Sequence, residues 1–510
     1  MSARISETSE PIDVPLLVGG RFETSSSERR GDVYNPSTGS VQASVPFCTD
    51  DEIDRAVQSA HDAQPAWGET PAVERARILF RFRELLVSKC DELAALVTRE
   101  HGKTAAEARA EMQRGIEMVE FACGVPSLLM GQALENIAPQ VDCETSRHPL
   151  GVCVGVTPFN FPSMVPMWMF PVAIACGNSF VLKPSEKVPL SAVKLGELLT
   201  QAGLPDGVFN IVHGDRAAVD ALLAHPLVRG VSFVGSTAVA RYVFETGTAN
   251  GKRVQAAGGA KNHIIIMPDA DLEQVTSALV SSAFGCAGER CMAGSLAVPV
   301  GRIADDVAEQ LCRVGEQIIV GPTDGHGDAQ MGPLVTAEHR DRVASYLDVA
   351  SQEGANVVLD GRTRNFAGDG FLLGPSVVDH VQSDMRVARE EIFGPVLSIV
   401  RVDELDQALA LGRQCEYGNG ASIFTKSGWA ARQFKRSFNA GMIGINLGVP
   451  APMAWFPFTG WNKSFFGDLH MQGVEGIHFY THQKMTMTRW FQSATESSAD
   501  PIWKSGQQGR

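Results

Sequence analysis

Apolar residues recur along the chain in two rhythms. From Pro71 onward Ile78, Phe82, Leu85, Leu86, Leu93, Leu96 and Val97 fall at helical spacing, which predicts one long amphipathic helix with proline in its first turn. A second helix is predicted over Thr104–Ala122. Further on, short apolar runs alternate with helical stretches. The strands are Gly151–Thr157, Ser179–Pro184, Val208–Val212 and Val231–Gly235, and the helices Pro162–Ala175, Leu190–Ala202, Arg216–Ala224 and Thr237–Glu245. Continuous apolar strands between helices mean a parallel sheet covered on both faces. The rhythm resumes after Gly258-Gly259, with strands at His263–Met267, Pro395–Val402, Ala421–Thr425 and Met442–Asn446, and a helix over Leu272–Phe284 behind an acidic cap at 269–271. This predicts a second α/β unit. Residues 1–35 read as an arm leading into short strands, Gly476–Trp490 as a strand, and 491–510 as a polar tail.

The stretch Pro149–Leu182 carries no charge, but Pro158, Pro162, Pro166 and Pro171 interrupt it, so it reads as buried core and not as a membrane span. A chain of 510 residues is expected to form two or three domains. Its 44 Lys+Arg against 58 Asp+Glu give a net charge of −14, which argues against nucleic acid or an anionic membrane as partner. Met1–Phe22 lacks the apolar core of a signal peptide. The ten cysteines form no C-x-x-C pair and no metal-ligand spacing, so no metal is expected, and free thiols in a reducing, cytoplasmic setting are.

Five places carry candidate chemistry. Gly235-Ser236-Thr237, between a strand and a helix, offers backbone N–H groups to a phosphate. Lys183 and Glu186 stand at a strand's carboxyl end, where ligands of open α/β sheets bind. Cys291, beside Arg290 and after a glycine turn, is a candidate nucleophile with a lowered pKa. Asn160, held between Phe159 and Phe161 and flanked by prolines, is a candidate oxyanion donor. Arg114 lies between Glu111 and Glu117, three residues from each, which reads first as a helix-surface ion pair.

The segments PFNFP (158–162), LKPSE (182–186), FVGST (233–237), GERC (288–291) and EEIFGPV (390–396) occur in an order that resembles the aldehyde dehydrogenase superfamily over nearly the whole chain. Within it, RGIEMVEFACG (114–124), GGAKNH (258–263), AGERCMA (287–293) and the run 445–470 resemble the CoA-acylating branch acting on methylmalonate and malonate semialdehydes. The resemblance implies Cys291 as nucleophile and Asn160 as oxyanion donor, with Phe159, Lys183, Glu186, Gly235, Ser236, Glu391 and Phe393 contacting NAD. It implies Arg114 and Arg290 as a clamp on the substrate carboxylate, and CoA as acyl acceptor. Where hydrolytic members carry a general-base Glu, this chain has Ala257, which cannot activate water. A hydrolytic dehydrogenase using another base is the alternative. The implied architecture is a Rossmann-type NAD-binding domain (10–126 and 150–257), a catalytic α/β domain (258–456), a β oligomerisation arm (127–149 and 476–492) and a polar tail (493–510). A homo-oligomer, a tetramer of the dimer-of-dimers kind, is the expected state.

Overall fold

The computed structural model describes residues 11–325 and 327–491; the expected tail lies outside them. Two sheets organise the chain. The first has eight strands, in spatial order Phe465–Phe466, Arg253–Ala257, Val228–Val234, Val152–Val156, Ser179–Lys183, Phe209–Ile211, Leu16–Val18 and Arg21–Glu23. Its five central strands are parallel. From Val152–Val156 the chain builds outward to one side, then returns and builds to the other. The order therefore reverses between Val152–Val156 and Val228–Val234, and the crevice at their carboxyl ends is where such sheets bind ligands.

The second sheet has seven strands, in the order Asn356–Leu359, Ser376–Asp379, Val396–Ile399, Gly294–Pro299, Asn262–Ile266, Gly420–Phe424 and Met442–Ile445. All pair in parallel except the first. The 285–293 and 390–395 turns enter its strands at their amino ends. The carboxyl edge of the first sheet thus faces the amino edge of the second, and the site lies between them.

The helix Met164–Ala175 is apolar on every side because it is buried on every side. Pro166 falls in its first turn, where no N–H partner is needed. Helix Ala105–Cys123 starts with a capping box between Thr104 and Glu107 and packs on it. Gly115 permits that approach: a Cβ there would meet the Met167 Cε at 2.0 Å.

Two predicted elements differ. The long helix from Pro71 is two helices, Ala72–Ser88 and Cys90–His101, broken at Lys89 (φ −112°, ψ 16°). The apolar period carries across the break because both pieces bury the same face. The predicted strand Gly476–Trp490 is a helix, Gly473–Phe479, followed by a strand, Thr481–Arg489. Gly473, Gly476, Ile477 and Tyr480 are buried at three- and four-residue intervals, a helical period that overlaps the apparent alternation.

The Thr481–Arg489 strand pairs antiparallel with Val141–Pro149, in register from Thr481↔Pro149 to Arg489↔Val141, and Ala133–Ala138 completes a three-stranded sheet. Among the described residues both outer strands of this arm are unpaired edges, and Leu134, Ile137, Met485, Met487 and Trp490 are exposed on it. All ten cysteines are free thiols. Among the described residues no helix is long and apolar enough to cross a membrane, and no group of three or more His, Cys, Asp or Glu side chains is placed to hold a metal.

Candidate active site

The loop after Val152–Val156 carries Phe159 and Asn160 into the crevice and is fastened from below. Lys103, wholly buried, donates from Nζ to the Asn160 carbonyl (2.7 Å) and to Glu111 Oε2 (2.6 Å), and its ammonium lies 4.1 Å from the Phe161 ring centroid. The other Glu111 oxygen accepts the N–H groups of Ser163 (2.9 Å) and Met164 (3.0 Å), the first turn of the following helix. Asn160 itself is buried and donates from Nδ2 to the Glu289 carbonyl (2.9 Å), two residues before Cys291.

The approach to Cys291 is a strained turn. Cys286 (φ 50°), Ala287 (φ 51°) and Gly288 (φ 74°) are all left-handed, at a cost of about 1–2 kcal/mol for each of the two that carry a Cβ. Two contacts hold it. Glu107 Oε1 accepts the Cys286 N–H at 2.6 Å, and Gly288 lies so close to the Gly394 carbonyl that a Cβ would sit 2.2 Å from its oxygen. Beyond the turn, the Cys291 carbonyl accepts from Asn262 Nδ2 (2.8 Å) and Asn419 Nδ2 (3.0 Å).

The thiol faces a cavity of about 210 Å³, walled by Phe161, Trp168 and Phe458 and also reached by Arg114 and Arg290. The expected lowering of its pKa is not found. Burial pushes the Cys291 thiol up to about 12, and the Glu391 carboxylate adds to the rise. Arg290, the sequence neighbour, turns its guanidinium to Glu107 Oε1 (3.2 Å) instead, and its buried Nε has no partner.

Arg114 pairs with Glu117 Oε2 (3.0 Å) and donates to the Pro452 carbonyl (3.3 Å). It does not pair with Glu111, which Lys103 occupies. Both arginines therefore reach one cavity with the thiol, and each already has a carboxylate beside it.

On the opposite side of the thiol, Glu391 Oε1 accepts the Ala260 N–H (3.0 Å), and burial pushes its carboxyl up to about 7. A Cβ on Gly259 would lie 2.2 Å from Glu391 Oε2, so any larger residue there would displace that carboxylate. Phe393 adopts φ 62° and meets Phe159 edge-on, with ring centroids 5.7 Å apart. Lys183 is buried at the end of its strand and bonds Glu186 Oε2 (3.2 Å).

Ser236 is exposed at the N-terminus of helix Thr237–Ala249, makes no side-chain cap bond, and so leaves that end open to an anion. Gly235 departs from expectation as a donor, because its N–H is spent on the Ala257 carbonyl (3.1 Å). Ala257 is buried at its strand end, packed in the apolar core that also touches Cys291.

The crevice thus brings Asn160, Cys291, Arg114 and Arg290 together on one side, and Phe159, Glu391 and Phe393 on the other. Lys183, Glu186 and Ser236 stand along the carboxyl edge of the first sheet. The residues that fasten the site were not singled out from sequence as site residues. Glu107 belongs to a legible T-x-x-E capping box. Lys103, Asn262 and Asn419 act on residues tens to more than a hundred positions away, which local pattern does not reveal.

Comparison with known proteins follows the same lines. The sequence matches the aldehyde dehydrogenase family over residues 22–486. It is 51% identical over 474 residues to a malonate-semialdehyde dehydrogenase of Halalkalibacterium halodurans, covering 93% of this chain and 98% of that protein. A malonate-semialdehyde dehydrogenase of Geobacillus thermodenitrificans is 50% identical over 475 residues, covering 93% of this chain and 98% of the relative. Among solved structures, a methylmalonate-semialdehyde dehydrogenase from Oceanimonas doudoroffii superposes with a TM-score of 0.93 at 46% identity, covering 94% of this chain and 99% of that one. A Sinorhizobium meliloti protein described as a methylmalonate-semialdehyde dehydrogenase and complexed with NAD gives 0.94 at 45% identity, covering 96% and 100%.

Proposed function

The chain belongs to the aldehyde dehydrogenase family, and we propose that it is an NAD-dependent, CoA-acylating dehydrogenase of malonate or methylmalonate semialdehyde, yielding acetyl-CoA or propionyl-CoA with loss of CO2. The observation that carries this reading is the cavity in which Cys291, with Cys286 from the strained turn before it, shares the walls with two arginines. An aldehyde carrying a carboxylate on the next carbon matches that pairing, because a guanidinium holds a carboxylate with paired N–H groups.

In this reading Cys291 sulfur attacks the aldehyde carbon as the thiol proton passes to solvent. The negative oxygen that forms is met by the Asn160 amide, whose position the Lys103 and Glu289 contacts fix in advance. Arg114 and Arg290 hold the far carboxylate, and the Phe161, Trp168 and Phe458 walls exclude water. NAD, when bound, supplies the hydride acceptor and a positive charge beside a thiol that burial has made a weak acid.

The residues present fit that cofactor. Ser236 offers an uncapped helix end to phosphate, Lys183 and Glu186 suit ribose hydroxyls, and Glu391 and Phe393 flank the nicotinamide side. The acyl group then rests on Cys291 as a thioester. Ala257 offers no base to activate water, so a thiol acceptor, CoA, is favoured over hydrolysis. The arm supports a homo-tetramer built through its open edges, and the ten free thiols fit a cytoplasmic setting.

The test is NADH release with malonate and methylmalonate semialdehyde, with and without CoA. Sustained turnover only with CoA is expected. An equal rate without CoA would replace this reading with the hydrolytic one.

A further inference from the structure

Behind the thiol lies a polar cluster that the chemistry above does not use. Glu289 is wholly buried. Its Oε1 accepts the Val335 N–H at 3.2 Å and lies 3.5 Å from His339 Nε2, while its Oε2 lies 3.7 Å from His101 Nε2. That Oε2 and both ring nitrogens of the wholly buried His101 have no hydrogen-bond partner. Three orphaned polar atoms in one spot are costly, and native interiors rarely keep them without a use.

The cluster also touches the loops that carry Asn160 and Phe393. The Glu289 carbonyl holds the Asn160 amide, and His339 Nε2 donates to the Phe393 carbonyl at 2.7 Å. From the same helix, Ala337–Gln352, Arg342 donates to the carbonyls of Glu391 and Ile392, both at 3.2 Å. Three consecutive carbonyls of the 391–393 turn thus hang from one helix face. The Phe159 ring stacks on His101 and meets His339 and Phe393 edge-on.

We propose that Glu289 is a positioning residue: its carboxyl, bracketed by His101 and His339, competes with the Phe393 carbonyl for the single His339 Nε2 proton and thereby couples the protonation of the cluster to the grip on the cofactor. The inference rests on the reading of Glu391 and Phe393 as nicotinamide-side residues.

The charge balance sets its direction. Burial pushes the Glu289 carboxyl up to about 8, pushes His339 down to about 4, and pushes His101 well below its ordinary value. The other charged groups facing the cluster are Lys103, paired with Glu111; Lys187, whose ammonium lies 5.1 Å from the Phe159 ring centroid; and Arg342, committed to the turn. Between about pH 4 and 8 the cluster is uncharged, and His339 gives its proton to Phe393. Above about pH 8 the acid loses its proton to solvent, and the new carboxylate draws the His339 N–H to itself. The Phe393 carbonyl then loses its donor, and the strained turn loosens.

The experiment is the NAD dissociation constant of the full-length protein, measured by titration calorimetry from pH 6 to 9.5. The wild type should bind about three- to tenfold more weakly at pH 9.5 than at 7.5, the worth of one hydrogen bond. Glu289→Gln, a permanent analogue of the neutral acid, should lose that alkaline limb, whereas Glu289→Ala should weaken binding at every pH. A flat wild-type profile, or an alkaline limb that persists in Glu289→Gln, overturns the proposal; the first result needs no variant to fold. Glu391→Gln separates the two layers. If it leaves NAD binding unaltered, the nicotinamide-side reading fails. If it weakens binding while Glu289→Gln keeps the limb, only the present inference fails.

Discussion

Replacing Lys103 by methionine isolates what the buried ion pair contributes to the site. The side chain is shortened only by its terminal atom and keeps most of its apolar contacts, so little cavity is opened. What disappears is the ammonium that bonds Glu111 Oε2 at 2.6 Å and the Asn160 carbonyl at 2.7 Å, both out of reach of water. Glu111 is left with two backbone N–H donors and an uncompensated charge. Removing one partner of such a pair costs about 3–5 kcal/mol, most of it the penalty of the stranded charge. In a domain of this size that corresponds to a fall in Tm of roughly 6–20 °C.

Lys103→Met/Glu111→Gln removes the stranded charge while keeping an oxygen for Ser163 and Met164, so it should recover at least half of the loss. Scanning calorimetry of the two variants reads the stability effect. NADH turnover reads the effect on Asn160, whose loop loses its tether; a shift of about 1 Å is enough for a hundredfold loss. A Tm within 2 °C of wild type for Lys103→Met, or a double variant less stable than the single, would refute the reasoning.

Asn160→Ala should lower turnover by about 10²–10³-fold if its amide meets the oxyanion, with unchanged turnover as the contrary result. Arg114→Leu and Arg290→Gln should raise KM for malonate semialdehyde far more than for propanal, and equal effects on the two aldehydes would reject the carboxylate clamp. Deleting residues from Thr481 onward strips the partner strand from Val141–Pro149; light scattering should show monomers or aggregates, and an intact oligomer would remove the arm from assembly.

The core strands were legible because burial on both faces writes them as apolar runs, as in Val152–Val156 and, between Ser179 and Lys183, in Phe180, Val181 and Leu182. Elements with weaker faces escaped. Helix Asp50–Glu69 sets only Ala56, Val57 and Ala60 between its large buried residues Ile53 and Trp67, and contains Pro65, so its period is faint although Thr49 and Glu52 form a capping box. Strand Arg253–Ala257 is short, two of its five residues are alanine, and its place depends on Val228–Val234 beside it.

The site divides in the same way. Side chains proposed to do chemistry cluster in short motifs and could be named. Their environment could not, because it comes from distant segments. Arg290 looked like an activator of Cys291 by adjacency, yet Glu107, 183 positions earlier, draws it away.

The two amides on the Cys291 carbonyl have a consequence for turnover. Asn262 belongs to one strand of the second sheet, and Asn419 immediately precedes the strand beside it. Together they anchor the peptide that follows Cys291, so its sulfur keeps one torsion, about Cα–Cβ. An acyl group carried on it swings like a pendulum from a fixed pivot. In the proposed cycle the hydride acceptor and the acyl acceptor would each come to that arc, because the backbone that carries the sulfur is held in place from two strands.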